Sequence, residues 1–199
     1  MVRNITLIGL AISLRKLNNN KNLGNFTEVL LYKYMFKYFD KKHKRAVRRK
    51  TLEGGSNIGG LGEKTMHLTF KYFFEENHDF HEVAVEKYYA DIMRKGHITE
   101  IQTRNFCSFR KKLAAVSEKY PVTVVHPIIS SKRVFWTEPD SGETGGGRVS
   151  PKHMDIYSTF RELVYIRELL QRENLSFCFP VVVCDEYKIL CGRDAEKKK

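Results

Sequence analysis

A chain of 199 residues, 42% of them hydrophobic, can bury one real core, which excludes a wholly disordered protein. Its formal net charge of +12 is unevenly placed: residues 1–60 hold 13 Lys/Arg against 3 Asp/Glu, and residues 61–199 hold 22 against 20. The pattern describes a nearly neutral domain behind a basic segment, and such segments meet polyanions or are simply solvated.

In chain order, Ile5 to Leu14 is the first apolar stretch, about ten residues long and too short to cross a bilayer. Arg3 precedes it as in a signal peptide, but Arg15 and Lys16 follow directly and no small-x-small cleavage site is present. It reads as a short buried strand or helix. Phe26, Val29, Leu30, Met35, Phe36 and Phe39 form a roughly helical stripe. The run from Lys41 to Lys50 then carries seven positive charges, and Gly54 to Gly60 has the composition of a flexible linker. These features divide the chain into a basic segment (1–60), a domain (61–190) and a basic tail (191–199), with residues 41–60 separable from the domain.

Beyond the linker, Gly62 to Glu76 reads as a helix with Met66, Phe70, Phe73 and Phe74 on its apolar side. Phe80 to Val85, Tyr88 to Arg94 and His97 to Thr103 read as strands. Asn105 caps a helix whose stripe is Phe106, Phe109, Leu113 and Val116, leaving Arg110, Lys111 and Lys112 as a solvated face that could meet phosphates. Val122 to Val125 is a strand buried on both faces, and Lys132 to Thr137 is another, with Trp136 as packing. Ser141 to Arg148 is a loop. Its three glycines, Gly145 to Gly147, lack the Lys-Ser/Thr and the context of a P-loop. Thr159 to Glu173 reads as a helix, and Leu175 to Cys184 with Tyr187 to Leu190 as a final strand pair. Alternating helices and strands around a buried strand make an α/β layered domain.

Four cysteines show no CxxC spacing, which argues against a zinc module and fits a reducing, cytoplasmic compartment. Cys178 and Cys184 lie in apolar runs and read as small hydrophobes. His67 and His126 read as core or rim residues rather than ligands.

Lys95-Gly96 makes a two-residue hairpin turn. That register sets Arg94 against His97, Ile92 against Thr99 and Asp91 against Glu100, with Gln102 on the same face. Opposed side chains have Cβ atoms about 4.5–5.5 Å apart. Two carboxylates so placed repel, and a divalent cation is the natural compensator.

Asp91, eight intervening residues and Glu100-Ile101-Gln102, after a helix containing Glu63 and before a helix and a buried strand, resemble the PD-(D/E)XK nucleases. The resemblance implies a restriction-endonuclease-like αβββαβ core, a mixed central sheet flanked by helices. It implies Mg²⁺ or Mn²⁺ held by Asp91, Glu100 and the main-chain carbonyl of Ile101. Glu63, Asp91, Glu100 and Gln102 would be catalytic, and phosphodiester bonds in DNA would be hydrolysed. Arg104, Lys111 and Lys152 are the candidate nucleic-acid contacts. Gln102 stands where the motif has Lys, which orients water and offsets developing charge; Lys152 or Lys64 could substitute in space. Leu61 to Lys64, Ile98-Thr99-Glu100-Ile101-Gln102-Thr103-Arg104-Asn105-Phe106, Pro121 to Pro127 and Ser150 to Lys152 also resemble an uncharacterised prokaryotic family. Its members continue into a winged helix, which implies DNA binding; this chain ends in the basic tail instead. The alternatives are a non-catalytic nucleic-acid-binding module on the same fold, or a regulatory component of a mobile element or defence system. No membrane partner is expected.

Overall fold

The computed structural model describes residues 2–12, 38–48, 61–138 and 141–189. Strand β1 is Val2–Ile12, helix α1 covers residues 38–48, and α2 is Leu61–Phe74. A 3₁₀ turn, His78–Phe80, leads into β2 (His81–Val85), β3 (Tyr88–Arg94) and β4 (His97–Ile101). Helix α3 (Phe106–Lys119) follows, then β5 (Val122–Val125), β6 (Ile128–Thr137) and the short β7 (Arg148–Val149). Helix α4 (Thr159–Leu163) and a 3₁₀ segment (Val164–Leu169) precede β8, Leu175–Ile189. The protein is a mixed α/β fold.

The sheet runs β2-β3-β4-β5-β8-β6-β7, with β1 paired to β8. β2–β3 and β3–β4 are antiparallel, while β4–β5, β5–β8 and β6–β8 are parallel. Val122 pairs with Leu175 and Ile128 with Val181 at the same sequence offset, so β5 and β6 line one edge of β8 in one register. At that offset Pro127 falls opposite Pro180. Neither carries a backbone N–H, which is why the ladder is interrupted between β5 and β6. β1 pairs antiparallel with Cys178 to Glu186 and takes the other edge of β8.

Successive strand residues face opposite sides of a sheet. Val124 and Val125, both fully buried, accordingly belong to different apolar clusters. Val125 joins Phe39, Met66 and Phe70 from α1 and α2. Val124 joins Phe106, Phe109 and Leu113 from α3 and Ile166 and Leu169 from the 3₁₀ segment. Helices therefore cover both faces. Cys178 and Cys184 are core residues as their apolar runs suggest, and burial pushes their thiols up to about 12 and about 11.

Four expectations change. β4 ends at Ile101 rather than Thr103, and β6 begins at Ile128 rather than Lys132. The expected final strand pair is one strand: Asp185-Glu186, between the two expected strands, stays in the ladder, where Arg133 clamps Asp185 through two 2.8 Å bonds and Lys132 meets Glu186 at 2.8 Å. The expected helix from Thr159 to Glu173 breaks at Ile166 (φ −123°, ψ 18°), where the change of direction turns Ile166 and Leu169 inward and leaves Phe160 and Val164 exposed. Where the basic run is described it is partly buried, with Phe39, Lys42, His43 and Ala46 inward on α1. Lys42 pairs with Glu76, and His43 Nδ1 lies 3.1 Å from Thr69 Oγ1. The remainder of the stripe expected from Phe26, and the linker from Gly54 to Gly60, lie outside the described residues.

Candidate active site

Lys95 and Gly96 both take positive φ, 51° and 74°, the conformation a two-residue hairpin turn demands. The register they set is Arg94 with His97, Met93 with Ile98 and Ile92 with Thr99. The next step of that register is Asp91 against Glu100, but the ladder stops there. The main-chain N–H of Ile101 donates to Asp91 Oδ2 at 2.8 Å, so a carboxylate has taken the place of a strand carbonyl. The opening between β3 and β4 lets both neighbouring helices reach the carboxylates. His67 Nε2, from α2, lies 3.1 Å from Asp91 Oδ2. Lys112 Nζ, from α3, donates to Glu100 Oε2 at 2.6 Å.

Asp91, Glu100, Ile101, Gln102, His67 and Lys112 all line one open pocket of about 740 Å³. The two carboxylates differ in state. Glu100 is 2% exposed, and burial followed by the nearby charge of Asp91 pushes its pKa up to about 7, with Lys112 opposing. Its Oε1 has no hydrogen-bond partner among the described residues. Burial also acts to raise Asp91, but the hydrogen bond and charge of His67 and the Ile101 N–H outweigh it and hold the carboxyl below its ordinary value. An orphaned buried carboxylate oxygen beside a second carboxylate is an incomplete arrangement. Oxygen donors of this kind suit Mg²⁺ or Mn²⁺, which take one or two carboxylates and fill the remaining positions with water and phosphate oxygens. The residues present thus fit a divalent cation, with Asp91, Glu100 and the Ile101 carbonyl as the candidate donors. Among the described residues no group of three or more His, Cys, Asp or Glu gathers around a single point.

The remaining candidates are dispersed. Gln102 extends the ladder through its N–H to Val125 O at 2.9 Å, and its Nε2 donates to the carbonyls of Arg104 and Asn105. The side chains of Glu63 and Lys64 lie outside the described residues. Arg104 is exposed on the rim shared with a second pocket of about 580 Å³. Lys111 and Lys152 are exposed and line neither pocket. His126, 1% exposed, is a core residue. Its Nδ1–H donates to Gln102 O at 2.7 Å and steadies the chain just after the two carboxylates.

The sequence reading assigns two site residues other places, His67 to the core or rim and Lys112 to a solvated helix face. His67 lies one turn beyond Glu63, at the i, i+4 spacing. Lys112 follows Phe109 by three residues and precedes Leu113, at the border of the buried stripe rather than in the middle of the polar face. Either spacing is a usable signal once the helices are placed on opposite faces of the sheet.

Among known proteins, the chain is similar to an uncharacterized protein of Treponema pallidum (strain Nichols), 27% identical over 144 residues. The match covers 71% of this chain and 57% of the relative, so the chain spans less than two thirds of that protein's length. No solved structure matches. A family model described as a domain of unknown function, DUF8091, matches residues 64–199, including every described residue of the pocket; with well over half of its length matched, the chain belongs to that family.

Proposed function

We propose that the protein is a metal-dependent hydrolase of phosphodiester bonds in DNA, built on a PD-(D/E)XK-type core. The observation that carries this reading is the pair Asp91 and Glu100, set on opposed strands in one pocket, with a buried carboxylate oxygen of Glu100 unpartnered. The chain path supports it. A helix, a three-strand antiparallel meander, a second helix and a parallel strand follow in the order α2, β2, β3, β4, α3, β5, and within β2-β3-β4-β5-β8 only β3 runs against the rest. That order is compatible with the αβββαβ core which the resemblance to the PD-(D/E)XK nucleases implies. The local balance of charge is also compatible: the pocket rim offers Arg104 and Lys112 to a polyanion.

In this reading Asp91, Glu100 and the carbonyl of Ile101 hold Mg²⁺ or Mn²⁺. When bound, such an ion polarises a phosphodiester and lowers the pKa of an attacking water. His67 keeps Asp91 ionised and oriented, as an outer partner does for a ligating carboxylate. Gln102, its Nε2 held by two main-chain carbonyls, fixes the turn that leads from β4 to α3.

Incubation of supercoiled plasmid with the protein and millimolar Mn²⁺ or Mg²⁺ should give nicked or linear product, abolished by EDTA and by Asp91→Asn. The same metal should raise the melting temperature of the wild type by mass action, and Asp91→Asn should lose most of that rise. Identical melting curves with and without Mn²⁺ together with intact plasmid would sink the hydrolase reading. One observation favours a second reading, a nucleic-acid-binding module without turnover: Gln102 is neutral where the motif carries a cation. A steeply salt-dependent mobility shift without cleavage would decide for it.

A further inference from the structure

We infer that Lys112, reaching in from helix α3, supplies the positive charge that Gln102 lacks, and that it caps Glu100 until metal and phosphate enter. The inference rests on the hydrolase reading and names a further catalytic residue for it.

The geometry singles out this lysine. Its ammonium is 2.6 Å from Glu100 Oε2, its stem passes the ring of Phe109 with Nζ 5.9 Å from the centroid, and its side chain is 22% exposed, so the head faces the pocket. Lys71, the other lysine lining the pocket, is 5% exposed and committed to Glu82. Lys111 and Lys152 are exposed and line no part of this pocket. A lysine on β4 would approach the phosphate from the strand; Lys112 approaches the same space from the helix packed beneath it. Asn105 makes that approach possible. Its left-handed backbone (φ 63°, ψ 57°) turns the chain sharply out of β4, and its side chain caps α3 through Ser108 N at 3.3 Å.

In hydrolysis the water oxygen bonds to phosphorus and gives up a proton. The P–O bond to the leaving alcohol breaks, that oxygen ends up protonated, and negative charge grows on the non-bridging oxygens between these events. An ammonium pivoting from Glu100 to a non-bridging oxygen stabilises that charge where it develops. In the free protein the same ammonium sits on the carboxylate a cation would need, so it competes with metal for Glu100. Removing it must therefore do two opposite things: ease metal binding and slow cleavage. A merely structural ion pair would not produce that combination.

The experiment uses the full chain carrying Lys112→Met, Lys112→Gln or Lys112→Arg. Mn²⁺ is titrated at pH 8.5 without nucleic acid, followed by melting temperature, and plasmid cleavage is measured in parallel. The expected result is a Mn²⁺ midpoint several-fold lower for Met and Gln, with cleavage reduced about 100-fold, while Arg retains both properties near wild type. Cleavage unchanged in Met and Gln overturns the inference, as does a Mn²⁺ midpoint that moves higher as cleavage falls. Should Lys112→Met fail to fold, the uncharged but polar Gln variant carries the test. An active Asp91→Asn would remove the hydrolase reading itself. A dead Asp91→Asn beside a fully active Lys112→Met would remove only the role of the lysine, and a wild type that neither cleaves nor responds to Mn²⁺ would remove both.

Discussion

Glu100 concentrates the chemistry of the site in one carboxyl group. Folding raises its pKa from the ordinary 4.5 to about 7, through burial first and the charge of Asp91 second. The folded chain therefore holds this proton more tightly than the unfolded chain does. Its favourable contribution is complete below the unfolded value and is lost as pH rises through about 7, after which the buried charge costs a few kcal/mol. Glu100→Gln removes that charge at constant shape. Without metal, the variant should melt above the wild type at pH 8, with the difference shrinking or vanishing at pH 5. A difference that is the same at both values would show that the ionisation of Glu100 is not coupled to folding. Asp91 behaves oppositely, because its depressed pKa makes its contribution present at neutral pH and lost only in acid.

At the scale of elements, β8 decides most of the architecture. Its 15 residues pair with β5, β6 and β1, and its polar stretch, Asp185-Glu186, survives in the ladder by cross-strand ion pairing. The Asp185 side chain is 8% exposed and Arg133 is 56% exposed, so solvent screens one partner only. Arg133→Met should lower stability by about 1–3 kcal/mol, the cost of a buried acceptor losing a charged donor. Urea denaturation measures this, and an unchanged midpoint would mean that Asp185 is satisfied without Arg133. The broken helix between Ser158 and Leu170 follows the same logic. Its apolar residues encircle the axis, so a straight helix could bury only one side; the kink at Ile166 selects Ile166 and Leu169 for the core.

For the whole molecule, the N-terminal segment matters more than its charge suggests. Phe39 is 1% exposed, and its ring packs 5.2 Å from Phe70 and 5.4 Å from Phe73 by centroid, closing the α2 face of the sheet. Phe39→Ala should cost about 3–5 kcal/mol, the range for emptying a buried aromatic site. A loss under about 1 kcal/mol would mean that this face is closed without α1. Among the described residues no helix is long and apolar enough to cross a membrane.

Local pattern determined a good deal of this protein. The turn at Lys95-Gly96, the register that it sets between β3 and β4, the Asn105 cap and the Val122-Thr123-Val124-Val125 strand, buried but for a half-buried Thr123, all arise from neighbours within a few residues, where turn chemistry and alternation act directly. The positions of α2 and α3 on opposite faces, and hence the meeting of His67 with Asp91 and Lys112 with Glu100, were decided by tertiary structure. So were the single long β8, the docking of the basic helix and the kink at Ile166. Each depends on contacts between residues far apart in the chain, and a charge such as Lys112 looks solvated on its own helix until the opposite wall of the pocket brings a buried carboxylate to it.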